Sequence, residues 1–308
     1  MPGLLVFLGT RLLRALIALW LVSTVVFVVM RLSGDPVPLL LPPDAPRSEV
    51  ERVRAQLGLD RALPVQYAVF LDRAVRGDFG RSIHFREPAM RVVTAYLPAT
   101  LELGLAAFAL AAFVAVPIGV LSAVKRNSLL DHATMSFALV GQAAPTFFLG
   151  ILFILVISLQ AGLVPTSGRG TWAHLVLPAL TLGAFAMASI ARLTRSAMLE
   201  ALGADYVRTA RAKGLSEILV VAKHTLRNAA LPVVTITGLQ FGTLLGGAVV
   251  TETVFAWPGI GRLAIQSIYN RDYPVVQASV FLSALMFIAL NFLIDVIYGF
   301  LDPRVRSR

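Results

Sequence analysis

An all-α membrane protein with six transmembrane helices is the fold class that three features of the sequence predict. The composition is 57% hydrophobic and 14% charged, the mean hydropathy is +0.78, and ionised side chains stand far apart along the chain. A soluble domain is nearer a quarter charged, so too few charges remain here to coat a water-soluble globule. A bilayer core of roughly 30 Å needs about 20 mostly apolar helical residues. Between Arg14 and Arg31 lie 16 residues, between Glu102 and Lys125 lie 22, and between His132 and Arg169 lie 36, enough for one span and a loop. Gaps of 22, 24 and 22 residues separate Arg169 from Arg192, Arg227 from Glu252, and Asp272 from Asp295. Helices are therefore expected near 13–31, 99–122, 134–158, 175–192, 229–250 and 275–298.

The first of these, within 1–32, has the basic prelude of a signal peptide, but no small-x-small cleavage site follows Ala15–Met30 before Arg31. An uncleaved anchor is expected. With the N-terminus placed inside, the inner segments hold 14 of the 27 Lys and Arg residues and the two short outer loops hold 3, namely Arg169, Arg262 and Arg271. The remaining ten lie in a first outer segment too long to count, so the positive-inside bias puts both termini in the cytoplasm. This topology also accounts for the net charge of +10, which in a soluble chain would point to nucleic acid. No nucleic-acid partner is expected.

Residues 33–97 read as an extracytoplasmic segment with turn formers such as Gly34-Asp35-Pro36 and Pro42-Pro43. Ser48 to Glu51 fits a capping box and Gly58 a helix stop. Pro64 suits a first helical turn, and Tyr67, Phe70, Leu71 and Ala74 follow at helical spacing as far as Gly77. Ala89, Val92, Val93, Tyr96 and Leu97 form a third stripe, and the three amphipathic helices are expected to lie against the membrane domain.

Residues 98–300 form the main membrane domain, with 301–308 as a cytoplasmic tail. Pro117, Pro145, Pro178 and Pro232 punctuate its spans, each able to kink a helix. On the fifth span Gly238, Gly242, Gly246 and Gly247 make overlapping GxxxG patterns, read as helix packing within one subunit. The absence of cysteine removes disulfides and thiolate metal sites, and the four histidines, His84, His132, His174 and His224, are scattered over loops and helix ends. No metal is expected.

Between the fourth and fifth spans, 192–228 form a cytoplasmic loop much longer than a usual connection. Asp205 is placed to cap a helix over 206–213, Gly214 suits a left-handed exit, and Ser216 is placed to cap a second helix toward Arg227. The result is an elbow of two helices. A DNA-reading helix-turn-helix is disfavoured, because spans begin within a few residues on either side.

Within this elbow Asp205-Tyr206-Val207-Arg208-Thr209-Ala210-Arg211-Ala212-Lys213-Gly214-Leu215 resembles the cytoplasmic signature of the dipeptide, oligopeptide, nickel and glutathione ABC permeases. Arg192 to Ser196, His224 to Pro232, Gly246 to Glu252 with Phe255 to Gly261, Gly34 to Pro36, Gly77 to Gly80 and Asp302 to Arg304 resemble the same family, so the likeness covers nearly the whole chain. Importers more broadly carry Glu-Ala-Ala, three residues, Gly, and a later Leu-Pro. Here Ala210, Gly214 and Leu226 agree, while Arg208, Thr209 and Arg227 depart.

The resemblance implies a type-1 ABC permease fold in the bacterial cytoplasmic membrane and a heteromeric importer of dipeptides, oligopeptides or glutathione. The partners it implies are a second homologous permease, two ATP-binding subunits carrying ATP and Mg, and an extracytoplasmic substrate-binding protein. It assigns the contact with the ATPase to Asp205, Tyr206, Arg208, Thr209, Ala210, Arg211, Lys213, Gly214 and Leu215. No GxxxxGK[ST] phosphate loop occurs, so the chain is expected to be non-catalytic, to bind no cofactor and to borrow its drive. Polar residues within spans are candidates for the cargo path: Gln142, Thr146, Thr235, Thr237, Gln240, Thr243, Ser283 and Asn291. A secondary transporter, which would call for a mid-membrane charge and inverted repeats, and a nickel-chelate permease are the alternatives.

Overall fold

The computed structural model describes residues 2–32, 37, 41, 45–56 and 58–301. The Gly34-Asp35-Pro36, Pro42-Pro43 and Asp302-Pro303-Arg304 motifs and the 301–308 tail beyond Leu301 lie outside the described residues. Among those described, the regular structure is helical. The chain divides into two compact units, Met1–Ala99 with Pro258–Phe292 and Thr100–Trp257 with Leu293–Arg308.

The first unit opens with α1 (Pro2–Leu32), an apolar helix long enough to cross a membrane. α2 (Arg47–Gln56) starts one residue before Ser48, which puts the expected capping box inside the helix; Gly58 follows with φ +66°. α3 (Leu63–Val75) has Pro64 in its first turn and ends before Gly77, whose φ of +70° takes the chain out of the helix. It lies along the end of α1. The Thr24 and Tyr67 hydroxyls are 2.6 Å apart, and the Phe27 ring meets those of Tyr67 and Phe70 at 5.2 and 5.5 Å.

The third outer stripe is not a separate helix. Ala89, Val92 and Val93 belong to the start of α4 (Ala89–Val124), which runs unbroken through the expected second span. These residues bury against Phe79 and against α11 (Ile260–Tyr269), through Ile260 and Leu263, and α12 (Tyr273–Leu301), through Val275 and Ala278. The buried Asp272 carboxylate, at the α11–α12 corner, accepts the Ser82 hydroxyl and the His84 N–H, tying down loop 80–88.

In the second unit the expected third span is two helices, α5 (Leu129–Ala143) and α6 (Thr146–Phe153), the latter continuing as a π-turn to Gln160. They are bent by 113° at Ala144-Pro145. α7 (Trp172–Leu202) is opened by reciprocal bonds between Thr171 and His174, and it runs ten residues past the expected end. The elbow follows as α8 (Asp205–Ala212), a single turn α9 (Glu217–Leu219) and a π-turn over Val220–Thr225. The last leads without a break into α10 (Leu226–Val254). α10 bends by 55° between Leu244 and Gly246, where the Gly246-Gly247 pair lowers the cost of a kink. Four described helices are long and apolar enough to cross a membrane, or six if each bent pair is one span.

α4 and α7 approach most closely at two glycines. A Cβ on Gly183 would lie 3.0 Å from the Ala107 carbonyl oxygen, and one on Gly119 would lie 2.6 Å from that of Ala191 and from Thr194 Cβ. Both contacts advance along both helices, so α4 and α7 run in the same direction. α10 runs the opposite way, because Ala229 at its start packs with Ala123 and Met198 at the ends of the other two. Gly119→Val is therefore expected to destabilise the detergent-solubilised protein by about 1–3 kcal/mol, through overpacking against backbone that cannot yield. A thermal melt followed by gel filtration reads this as a lowered midpoint. Gly246, by contrast, has nothing within 4 Å of where a Cβ would stand, so Gly246→Ala meets no crowding and should shift the midpoint by about 1 kcal/mol at most, through backbone preference at the bend alone.

Candidate functional site

The elbow is a small domain in its own right. α8 buries Val207 and Ala210, one turn apart on a single face, against Val220, with Leu215 packed beside them. Its other face, with Tyr206, Arg208, Thr209, Arg211 and Lys213, is exposed. Asp205 is the first helical residue and makes no side-chain cap, because Ala204 takes the capping position expected of it; Ser216 precedes α9 without a capping bond as well. The carboxylate of Asp205 instead lies 3.5 Å from Arg208, an exposed pair worth little.

The corner itself is tightly specified. Gly214 has φ +75°, its N–H donates to the Arg211 carbonyl at 2.9 Å, and the Leu215 N–H donates to that of Ala210 at 3.4 Å. These are the two bonds of a Schellman ending, and the contact between Leu215 and the Val207–Ala210 face is the hydrophobic contact that accompanies it. Across the corner Arg211 grips Glu217 with two parallel bonds of 2.7 and 3.2 Å. Ile218, at 83% exposure, and Tyr206 stand out as apolar projections on an otherwise basic surface.

The elbow is joined to the membrane helices at both ends. Val220 is shared between the elbow core and the π-turn, where its carbonyl accepts the buried Thr225 hydroxyl at 3.0 Å. Beyond it, Leu226 and Ala229 pack with Met198, Leu202 and Ala123, which joins the exit of the elbow to the last turns of α7 and α4. Packed side chains thus connect the exit of the elbow to α4, α7 and α10 with no intervening loop.

The polar candidates within the spans fare differently. Gln142 and Thr146 flank the α5–α6 bend, each half-buried. On α10 the buried Gln240 accepts the Thr243 hydroxyl at 3.0 Å, while Thr243 also bonds the Gln240 carbonyl and Thr237 that of Val233. Asn291 donates to the Phe287 carbonyl on its own helix. Thr237 and Asn291 thus satisfy their donors locally. Thr235 and Ser283 are half-buried; Gly238 is half-buried and Gly242 buried.

Two charged groups escaped sequence reasoning. Asp131, 2% exposed, takes two bonds from Arg195 at 2.6 and 2.7 Å, one from Ser122 at 2.9 Å and one from the Asn127 N–H at 3.0 Å. Glu252 is fully buried and accepts the Thr100 hydroxyl at 2.7 Å. Ser128-x-x-Asp131 marks the start of α5, where the Ser128 hydroxyl accepts the Asp131 N–H, but it says nothing of the buried ion pair, whose partner lies 64 residues away.

Two family descriptions match the sequence: a binding-protein-dependent transport system inner membrane component over residues 115–307, and the N-terminal part of such a component over residues 4–104. The glutathione transport system permease protein GsiC of Escherichia coli strain K12 is 45% identical over 299 residues, which is 97% of this chain and 98% of that protein. GsiC of Shigella flexneri serotype 5b matches at the same identity and coverage. Among solved structures, the MetNI methionine ABC transporter in an inward-facing form matches with a TM-score of 0.59 at 22% identity, over 71% of this chain and 98% of that one. An amino acid ABC transporter with histidines matches with a TM-score of 0.53 at 17% identity, over 67% of this chain and 92% of that one.

Proposed function

The chain belongs to the family of binding-protein-dependent transport system inner membrane components, and from that premise we infer how it works as the permease subunit of an ABC importer. Its cargo is a small peptide, with glutathione or a dipeptide ahead of longer peptides; the full-length likeness to glutathione permeases supports that order. It is a non-catalytic subunit that pairs with a second, homologous permease. Two ATP-binding subunits carry ATP and Mg, and an extracytoplasmic binding protein delivers cargo.

The chain crosses the cytoplasmic membrane six times with both ends inside. The parallel run of α4 and α7 supports this count, because the chain between them has to return across the bilayer, which makes the bent α5–α6 pair one crossing. The opposite run of α10 then adds the fifth crossing.

The elbow is the contact with the ATPase. The observation that carries this reading is the pairing of a rigid Schellman corner with an exposed face of Tyr206, Arg208, Thr209, Arg211 and Lys213 and with packed links into α4, α7 and α10. Closure of the nucleotide-bound partner pushes on α8, and the bundle switches between two arrangements that open the path outward and inward. The test is to purify the tagged chain in mild detergent, identify its companions by mass, and reconstitute them. ATP hydrolysis stimulated by cargo-loaded binding protein and glutathione uptake are expected from the whole assembly. Uptake by this chain alone, without ATP, would overturn the reading.

A further inference from the structure

A cavity of about 490 Å³ opens in the first unit between the end of α1, α3 and the start of α12. Among the described residues four arginines line it, Arg31, Arg61, Arg73 and Arg81, with one acid, Asp78, which is already engaged by the Gly80 N–H at 2.9 Å. Among the described residues neither Arg61 nor Arg73 has a carboxylate within 4 Å. Their positions are nonetheless set. Gln66 Nε2 bonds the Leu59 and Arg61 carbonyls and so fixes the loop that presents Arg61, while Arg73 projects from α3. Arg81 spends one N–H on the Arg86 carbonyl and keeps the rest of its guanidinium for the cavity.

The remaining wall is apolar and aromatic, built on Phe27, Phe70 and Phe79. Arg31 lies in the last turn of one candidate span, its guanidinium 5.3 Å over the Phe27 ring, and Tyr273 lies in the first turn of another. α3 lies alongside α1 and exposes Leu63, Val65 and Val69, as a helix resting on a bilayer does. The cavity therefore sits where a span meets water, with a cationic rim on an oily floor. A free anion needs only the rim; an amphiphile uses both.

We propose that this cavity holds the headgroup of an acidic phospholipid, its phosphate among Arg61, Arg73 and Arg81 and the first carbons of its chains against Phe27 and Phe70. The site ties the outer segment to the membrane surface beside the first and last spans. Basic residues near an anionic surface each strengthen attraction by about fivefold.

The test uses the whole permease assembly in nanodiscs of equal palmitoyl-oleoyl phosphatidylglycerol and phosphatidylcholine, with the lipid retained through gel filtration in detergent measured by mass spectrometry. The native assembly is expected to retain phosphatidylglycerol selectively. Arg61→Gln with Arg73→Gln should weaken retention roughly 25-fold, Arg73→Gln alone about fivefold, and the paired lysine variants should largely preserve it. Both arginines are exposed, and among the described residues neither pairs with an acid, so the elution volume checks that the variants remain folded. Displacement of the lipid by inorganic phosphate would reveal a free-anion site and overturn the lipid assignment. Equal retention by native and double-variant assemblies would overturn it too. So would loss of binding-protein capture with lipid retention unchanged, which would give the cavity to the receptor.

Discussion

Replacing Asp131 with alanine is expected to destabilise the permease by about 3–5 kcal/mol, toward the lower end of that range. The carboxylate is 2% exposed and has four bonds, so its loss strands the Arg195 guanidinium in a site built for a pair. The side chain of Arg195 keeps 25% exposure, and the water that reaches it softens the penalty. Removing both partners should do less harm than removing one, since an uncompensated charge costs more than an absent pair. Asp131→Ala should thus lower the melting midpoint sharply in a gel-filtration thermal assay, and adding Arg195→Met should restore much of it. Equal losses in the single and double variants would show that the pair is not what holds α5 to α7.

On the proposed coupling role, cargo uptake by the reconstituted assembly is expected to fall at least about tenfold when Gly214 becomes valine, with membrane insertion and subunit assembly unchanged. At φ +75° a β-branched residue incurs strain of order 1–3 kcal/mol, comparable to the net worth of the two hydrogen bonds that close the corner, and so biases it toward opening. The Arg211 and Ala210 carbonyls then lose their partners, Leu215 leaves the Val207–Ala210 face, and α8 no longer moves as one body with the π-turn. Because a Cβ at Gly214 would meet nothing within 4 Å, the effect comes from backbone conformation rather than crowding. Asparagine, which tolerates the left-handed region, should retain most uptake. Basal ATP hydrolysis in the valine variant is expected to persist without stimulation by loaded binding protein. Full uptake in that variant would dissociate the corner from coupling.

The first helix of the elbow and its corner were legible because their signals are local, whereas the second helix expected toward Arg227 is one turn and a π-turn running into α10. Gly214, Ala210 and Leu215 lie within six residues of one another, and the left-handed exit needs only a glycine in the right place. Four apolar helices long enough to span were legible from charge spacing, which a bilayer enforces on any sequence, and the other two expected spans are the bent pairs. Proline was a poorer guide. Pro117, Pro178 and Pro232 lie inside continuous helices, yet the chain turns by 113° at Pro145. The difference is tertiary: α6 draws away from the α5 axis to press Gly150 against Thr181 on α7 and Val254 on α10. α11 was missed for another reason. Ten residues between two spans read as a connection, although Ile260, Leu263 and Ser267 fall on one face. The close crossing at Gly119 and Gly183 carries no GxxxG spacing, and its signal is the broader small-xxx-small run of Ala107, Ala111, Ala115 and Gly119 on α4 with Ala179 and Gly183 on α7, which the glycines of the fifth span overshadowed.

The corner at Ala144-Pro145 constrains what can surround it. A helix that stops leaves its last carbonyls, and the next helix its first amides, without partners of their own. Oil cannot solvate such groups, so at membrane depth a broken backbone has to face protein or a wet lumen. On the proposed six-span topology, in which the bent pair is one crossing, acyl tails are shut out from this corner. That topology sets Gln142 and Thr146, the half-buried pair flanking the bend, apart as path candidates, whereas the polar groups on α10 and α12 have only their own side-chain chemistry to recommend them.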